Sequence, residues 1–330
     1  CSGGGRQGLL MAQKFPNVFD GILAVSPAIN MQAFIPAGQW ASLVMKETGV
    51  FLSPCEIKAF TQEAVKVCDH LDGVEDGVIS YPDSCHVKAS DFVGKNYTCD
   101  GVQKAFTASS AQVIEAAWSG SRSVSERYGW YGVNKDASID TSYVSTECSA
   151  NNTCHSSGSD LFVSWLKYLV AKDPSFSSSN MTRNEFFEAL HTSIADYTSI
   201  LGTNDPDLSN FKANGGKIIT WHGLADEVIP PNGTIAYYDK VLKNDPKAHV
   251  FYRFFEAPGL GHCYGGLGPY PNGAMSQLIE WVEKDHAPSV LHATKGNNNT
   301  ERVLCPYPLQ QKFIGGDPRN ATSFTCAKRY

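Results

Sequence analysis

Ser2 lies in the run Cys1-Ser2-Gly3-Gly4-Gly5-Arg6-Gln7-Gly8, a glycine-rich turn that leads into Leu9, Leu10, Ala12 and Phe15 at helical spacing. A serine on a sharp strand-to-helix turn needs small neighbours, as in the pattern G-x-S-x-G. The following helix then points N–H groups and the positive end of its dipole at the hydroxyl. Gly4 supplies the second glycine of that pattern, Gly3 and Gly5 loosen the turn, and the first glycine would stand before Cys1. The chemistry on offer is nucleophilic attack on a carbonyl, with the Gly3 N–H as donor to the oxyanion. Such a serine needs a base and an orienting acid. Where it sits on this kind of elbow, the order along the chain is Ser, then Asp or Glu, then His, the last two on loops after late strands. Asp226 in W-H-G-L-A-D and His262 in G-L-G-H-C-Y-G-G obey that order. Glu227 is a rival acid, and His222, His286 and His292 are rival bases.

Two cysteines set His262 apart from its rivals. Cys1 immediately precedes Ser2 and Cys263 immediately follows His262, so a Cys1 to Cys263 bridge would clamp nucleophile to base. A disulfide holds its Cα atoms roughly 4.4 to 6.8 Å apart, and each reactive residue is one peptide step away. The same bridge also reads as a stability staple closing a long loop, and the two roles are compatible. A second constellation is acidic. In C-D-H-L-D-G-V-E-D-G-V, Asp69, Asp72 and Asp76 stand close together with Glu75 beside them, and Gly73 and Gly77 permit a tight backbone. Oxygen donors at this density suit Ca²⁺ in a structural role, with the carbonyls of Val74 and Val78 completing the shell, although the spacing is not that of an EF-hand. The alternative is a solvated acidic turn.

The elements that must position these groups form two blocks. Gly21–Val25 is a short apolar run closed by Ser26-Pro27, as expected of a buried parallel strand. Lys217 to Trp221 and Val250 to Phe255 read as further strands, and Thr234 to Leu242 and Gln277 to Lys284 as helices. Between them the composition shifts to cysteines, Ser/Asn/Gly-rich loops and aromatic residues at Trp118, Tyr128, Trp130, Tyr131 and Trp165. The expectation is an α/β-hydrolase domain made of residues 1–30 and 206–330, interrupted by an inserted domain at 31–205 that carries the acidic loop. Trp165 is a candidate aromatic face for substrate, and His222 and Ile229 are candidates to line the acyl pocket beside Asp226.

Composition narrows the partners. Of the 330 residues 42% are hydrophobic and 18% charged, which excludes a disordered chain, and the formal charge of -6 advertises no face for nucleic acid. No apolar run approaches the roughly 18 residues of a membrane span. Ten cysteines, none in a C-x-x-C pair, favour disulfides and an oxidising compartment over zinc. Cys148 with Cys154, and Cys68 with Cys85, are close enough in sequence for local pairing. N-x-S/T sequons at Asn96, Asn151, Asn180, Asn232, Asn298 and Asn320 point to a secreted, extracellular glycoprotein.

Taken together, C-S-G-G-G-R-Q-G, D-x-x-D-G-V-x-D-G, W-H-G-L-A-D, G-H-C and L-C-P-Y-P resemble the fungal tannase and feruloyl esterase family over nearly the whole chain. The resemblance implies an α/β-hydrolase domain with a large lid, a clamped triad of Ser2, Asp226 and His262, calcium in the lid, and bridges Cys68–Cys85 and Cys305–Cys326. It leaves Cys55 to pair with Cys99 or with a segment outside the chain, and it implies that the N-terminal part of the hydrolase domain is missing from this chain, either omitted or present as a separate, disulfide-linked chain. The implied activity is a serine carboxylesterase, a carboxylic ester hydrolase acting on small or cell-wall esters of plant phenolic acids without an organic cofactor. Feruloyl esters come first, galloyl esters as for a tannase second, and mono-terephthalate esters third. A function from another class, an inactive calcium-dependent binding module on the same fold, is compatible with the cysteines, the sequons and the acidic loop.

Overall fold

The computed structural model describes residues 1–123, 128–149, 153–296 and 299–329. The sequons at Asn151 and Asn298 lie outside them. The chain divides into two units: Cys1–Ile29 with Asp69–Ser84 and Thr203–Tyr330, and Asn30–Cys68 with Cys85–Gly202.

The first unit is built on a three-stranded parallel sheet in which Lys217–Gly223 runs between Gly21–Val25 and Tyr252–Ala257. Gly21 pairs with Lys217 and Val25 with Trp221 on one side, and Ile218 with Tyr252 and Gly223 with Ala257 on the other. The central strand is buried along six of its seven residues, as a parallel strand covered on both faces must be. On one face Leu9 and Ala12 from the helix Gly3–Lys14, with Tyr237, Tyr238 and Val241 from the helix Pro231–Asn244, pack on Ile22, Ile218 and Phe254. On the other, Leu278 and Trp281 of the helix Ala274–Lys284 pack on Val25, Ile219 and Phe255. Two antiparallel hairpins follow, Leu291–Lys295 with Thr300–Leu304 and Leu309–Phe313 with Phe324–Lys328. A Cys305–Cys326 bridge ties the start of the second hairpin to its last strand.

The second unit is mostly helical. Its longest helix, Arg183–Leu201, starts on a capping box in which Thr182 accepts from the Glu185 N–H and Glu185 accepts from the Thr182 N–H. Phe186 and Phe187 of this helix pack against Trp40. Bridges Cys55–Cys99, Cys68–Cys85 and Cys148–Cys154 lie within this unit. Cys55 therefore pairs inside the chain and is not reserved for another segment. No described helix is long and apolar enough to cross a membrane.

One boundary differs from the sequence reading. The acidic segment 69–84 belongs with the sheet unit and not with the insert. Its ends are drawn together by Cys68–Cys85, and its interior is held by the sheet unit's own residues. Arg302 pairs with Asp76 at 2.8 Å, Tyr81 donates to the Gln311 carbonyl at 2.6 Å, and Arg329 pairs with Asp83 at 2.6 Å. A compositional shift cannot report such a return of the chain, because it depends on contacts made more than two hundred residues downstream.

Candidate active site

Ser2 occupies the turn into the first helix with φ 57° and ψ -122°. A positive φ is uncommon for a residue with a Cβ and marks a backbone held by its surroundings. Those surroundings are explicit. The Ser2 N–H donates to the Val25 carbonyl at 3.0 Å, and its own carbonyl accepts from Arg6 and Ala28 at 3.0 and 3.1 Å. The elbow is thus pinned to the C-terminal end of the neighbouring strand, where side chains of a parallel sheet reach a cleft. The glycine that the turn requires is Gly5, where a Cβ would lie 2.4 Å from the Val25 carbonyl oxygen; a Cβ at Gly3 or Gly4 meets nothing within 4 Å. As the first helical residue, Gly3 has an N–H without an intrahelical acceptor, available to an oxyanion.

Asp226 follows the central strand and is fully buried. Its Oδ1 accepts the backbone N–H groups of Val228 and Ile229 at 2.9 and 2.8 Å. Its Oδ2 lies 3.0 Å from His262 Nδ1 and 3.1 Å from His222 Nε2. Burial pushes the carboxyl up, but the hydrogen bonds from His222 and His262 outweigh it and hold Asp226 well below the usual carboxylate range. His262 follows the third strand. Burial pulls its imidazole down, while the hydrogen bond and charge of Asp226, joined by the charge of Glu227, leave it above the ordinary histidine value. Gly223 lets the two loops meet: a Cβ there would fall 2.2 Å from the Leu260 carbonyl oxygen. Leu224 and Ala225 then donate to the carbonyls of Ala257 and Leu260.

The Cys1–Cys263 bridge is present, with Cα atoms 5.9 Å apart. It links the elbow to the His262 loop across the end of the central strand that bears Asp226. Glu227 does not replace Asp226: its carboxylate accepts the backbone N–H of His262 at 3.1 Å, while Asp226 holds the ring at Nδ1. His286 is exposed and faces Glu280 at 3.6 Å, away from Asp226. His292 lies on the hairpin strand Leu291–Lys295, also outside this network.

Three expectations about the pocket are corrected. His222 and Ile229 are buried behind Asp226, where the ring and the Ile229 backbone support the carboxylate, so neither side chain offers a surface to an acyl group. Trp165 is buried in the second unit, its indole N–H donating to Ser193 Oγ at 2.8 Å, and it serves as core. Aromatic residues in an insert are visible in a sequence, but which way they face is not.

In the acidic loop, Asp69 accepts the N–H groups of Asp76 and Gly77, and Asp72 accepts that of Val74. Val74 and Val78 bury their side chains. Burial pushes the carboxyls of Asp72 and Asp76 up, and the charge of Asp69 adds to both. At Asp72 the hydrogen bonds from Ser80 and Val74 oppose this, and at Asp76 Arg302 does. The donor chemistry fits a hard cation such as Ca²⁺. Among the described residues, however, no group of three or more His, Cys, Asp or Glu is gathered as a metal cage. The loop also touches the His262 segment: a Cβ at Gly259 would lie 2.6 Å from Val78, and one at Gly77 3.1 Å from Leu267.

With this geometry in place, comparison with known proteins is specific. A family model described as tannase and feruloyl esterase matches residues 1–327. The chain is 37% identical to a probable feruloyl esterase of Arthroderma benhamiae, covering 100% of this chain and 63% of that protein. It is 30% identical to a probable feruloyl esterase B-2 of Aspergillus terreus, covering 98% and 63%. In three dimensions it is similar to a tannin acyl hydrolase from Aspergillus niger, with a TM-score of 0.90, 26% identity, and coverage of 100% of this chain and 63% of that one. It is also similar to feruloyl esterase B from Aspergillus oryzae, with a TM-score of 0.82 at 24% identity over 99% of this chain and 67% of that one, a likeness of fold. These neighbours accord with an α/β-hydrolase-like fold. The chain spans about 63% of the length of the relatives it matches. Matched by the family model over residues 1–327 and, along its whole length, by a relative 37% identical, the chain belongs to the tannase and feruloyl esterase family.

Proposed function

We propose that the protein is a secreted serine carboxylesterase that hydrolyses esters of plant phenolic acids, with feruloyl esters as the preferred class. The observation that carries this reading is the Cys1–Cys263 bridge, which ties Ser2 on its strained turn to His262, itself hydrogen-bonded to ionised Asp226. In the mechanism Ser2 Oγ attacks the ester carbonyl while His262 Nε2 takes the hydroxyl proton. Asp226 holds His262 in the tautomer with hydrogen on Nδ1 and stabilises the imidazolium that forms. The Gly3 N–H donates to the oxyanion. His262 returns the proton to the departing alcohol, and water, deprotonated by the same ring, releases the acid and regenerates Ser2.

Similarity to probable feruloyl esterases supports the hydroxycinnamoyl preference. The likeness to a tannin acyl hydrolase makes galloyl esters the second reading. Hydrolysis of methyl ferulate against methyl gallate by the full-length protein separates them. A higher kcat/KM on ferulate is expected, a higher value on gallate would reverse the assignment, and turnover of neither would point to an inert binding module.

In this reading the unit Asn30–Cys68 with Cys85–Gly202 is the lid, and the segment 69–84 binds one structural Ca²⁺ through Asp69, Asp72 and Asp76. The crowding of Asp69 and Asp76 around buried Asp72, whose carboxyls a cation would neutralise, supports this. Export is supported by five disulfides and by exposed sequon asparagines at Asn96, Asn180 and Asn320.

A further inference from the structure

His222 lies on the central strand with no exposed surface, and the catalytic steps above do not use it. Both its ring nitrogens are nevertheless engaged. Nδ1 is 2.9 Å from Thr234 Oγ1, and Nε2 is 3.1 Å from both Asp226 Oδ2 and the Ile229 carbonyl oxygen. An ionised carboxylate and a carbonyl have no proton to give, so the hydrogen between them belongs to Nε2, which donates to both. In the neutral ring Nδ1 then accepts the Thr234 hydroxyl proton. Asp226 therefore receives four donors: two backbone N–H groups on Oδ1, and the rings of His222 and His262 on Oδ2.

We propose that His222 is a positioning residue for Asp226, which locks the carboxylate's rotation and shares the oxygen that faces His262, thereby moderating the negative charge presented to the catalytic base. The inference rests on the Ser2–His262–Asp226 reading. Two consequences follow from removing the His222 donor. The full charge of Oδ2 turns to His262, so the imidazolium is stabilised and the ring stays protonated to higher pH. The carboxylate also loses one of the contacts that hold it in line with Nδ1, so turnover falls. The charged and titratable groups facing His262 are Asp226, Glu227 and the Cys1 amine, and the Cys1–Cys263 bridge beside it carries no charge. Of these only Asp226 is hydrogen-bonded to His222, so a shift in His262 on changing position 222 reports the Asp226 contact.

The test is an NMR titration of the His262 ring in the full-length protein carrying Ser2→Ala, which needs no turnover. His222→Leu should raise the His262 midpoint by roughly 0.5 to 1 pH unit. His222→Gln, whose amide nitrogen can reach the place of Nε2, should bring the midpoint back toward the parent value. With Ser2 restored, His222→Leu should lower kcat roughly tenfold with KM little changed, and His222→Gln should recover most of the loss. A role confined to packing would lower the melting temperature and leave the midpoint where it was. An unmoved or lowered midpoint in folded His222→Leu overturns the proposal. Should that variant fail to fold, Thr234→Val removes the group that pins Nδ1; it should move the midpoint in the same direction by less, and an unmoved midpoint overturns the proposal there too. Absence of esterase activity in the parent protein would instead defeat the functional reading, independently of the titration.

Discussion

Replacing both Cys1 and Cys263 by alanine separates the two roles of their bridge. Alanine keeps a Cβ, so the strained φ of 66° at position 263 is no harder to adopt, and no thiol remains to mispair. The bridge spans 262 residues of sequence. The bridges Cys55–Cys99 and Cys148–Cys154 lie inside that loop and shortcut 44 and 6 residues of it, leaving an effective loop of roughly 210. The loop-entropy relation gives about 5 kcal/mol of stabilisation for a loop of that size, an upper figure. The catalytic effect is separate. Ser2 is pinned to Val25 at the end of the first strand, and the His262 loop leaves the third strand, two strand spacings away or about 10 Å. The bridge is the covalent link across that gap, and about 1 Å of added freedom between Ser2 and His262 costs about a hundredfold in rate. Urea unfolding should therefore show a loss of several kcal/mol. At a temperature where the variant is fully folded, kcat on methyl ferulate should fall by about one to two orders of magnitude with KM changed much less. A kcat within twofold of the parent protein, alongside the stability loss, would show that the bridge is only a staple and refute the clamp.

Other outcomes follow from the same geometry. Because Asp226 and Glu227 raise the His262 imidazole, the base is lost on acidification at a pH above the ordinary histidine value of about 6.5. A kcat/KM acid limb below that value would contradict the network. The stability effect of the same group has the opposite sense: a raised His262 value contributes stability that is complete below its unfolded value and disappears as pH rises through the folded one. For Asp226, held low, stability is complete above the ordinary carboxylate value and is lost as pH falls through the folded one. Arg302→Met should lower stability by about 1 to 3 kcal/mol by leaving Asp76 without its partner and removing the guanidinium from the Phe324 ring, read by urea unfolding. If the 69–84 segment binds calcium, chelation should lower the melting temperature and calcium should restore it; no change would leave a plain acidic turn.

Much of the site is legible in the sequence because its marks are local. The adjacency of Cys1 to Ser2 and of His262 to Cys263 encodes a bridge that the fold then makes. The runs at 21–25 and 217–221 are apolar enough to demand burial on both faces, which fixes a parallel sheet and places Asp226 beyond a strand end. What escapes is whatever depends on the direction of a side chain after a turn. His222 and Asp226 are four residues apart, and only the strand-to-turn geometry swings one onto the other, so the histidine reads as pocket lining when it is support. Trp165 and Ile229 fail for the same reason. Segment 69–84 reads from its neighbours in sequence as part of the insert, whereas Arg302, Gln311 and Arg329 decide where it packs.

The most direct test is covalent labelling of the full-length protein with a fluorophosphonate, followed by peptide mass analysis. A single adduct on Ser2, abolished by Ser2→Ala and slowed by Asp226→Asn, is the predicted result. An unlabelled Ser2, or an adduct on another serine that survives Ser2→Ala, would contradict the account.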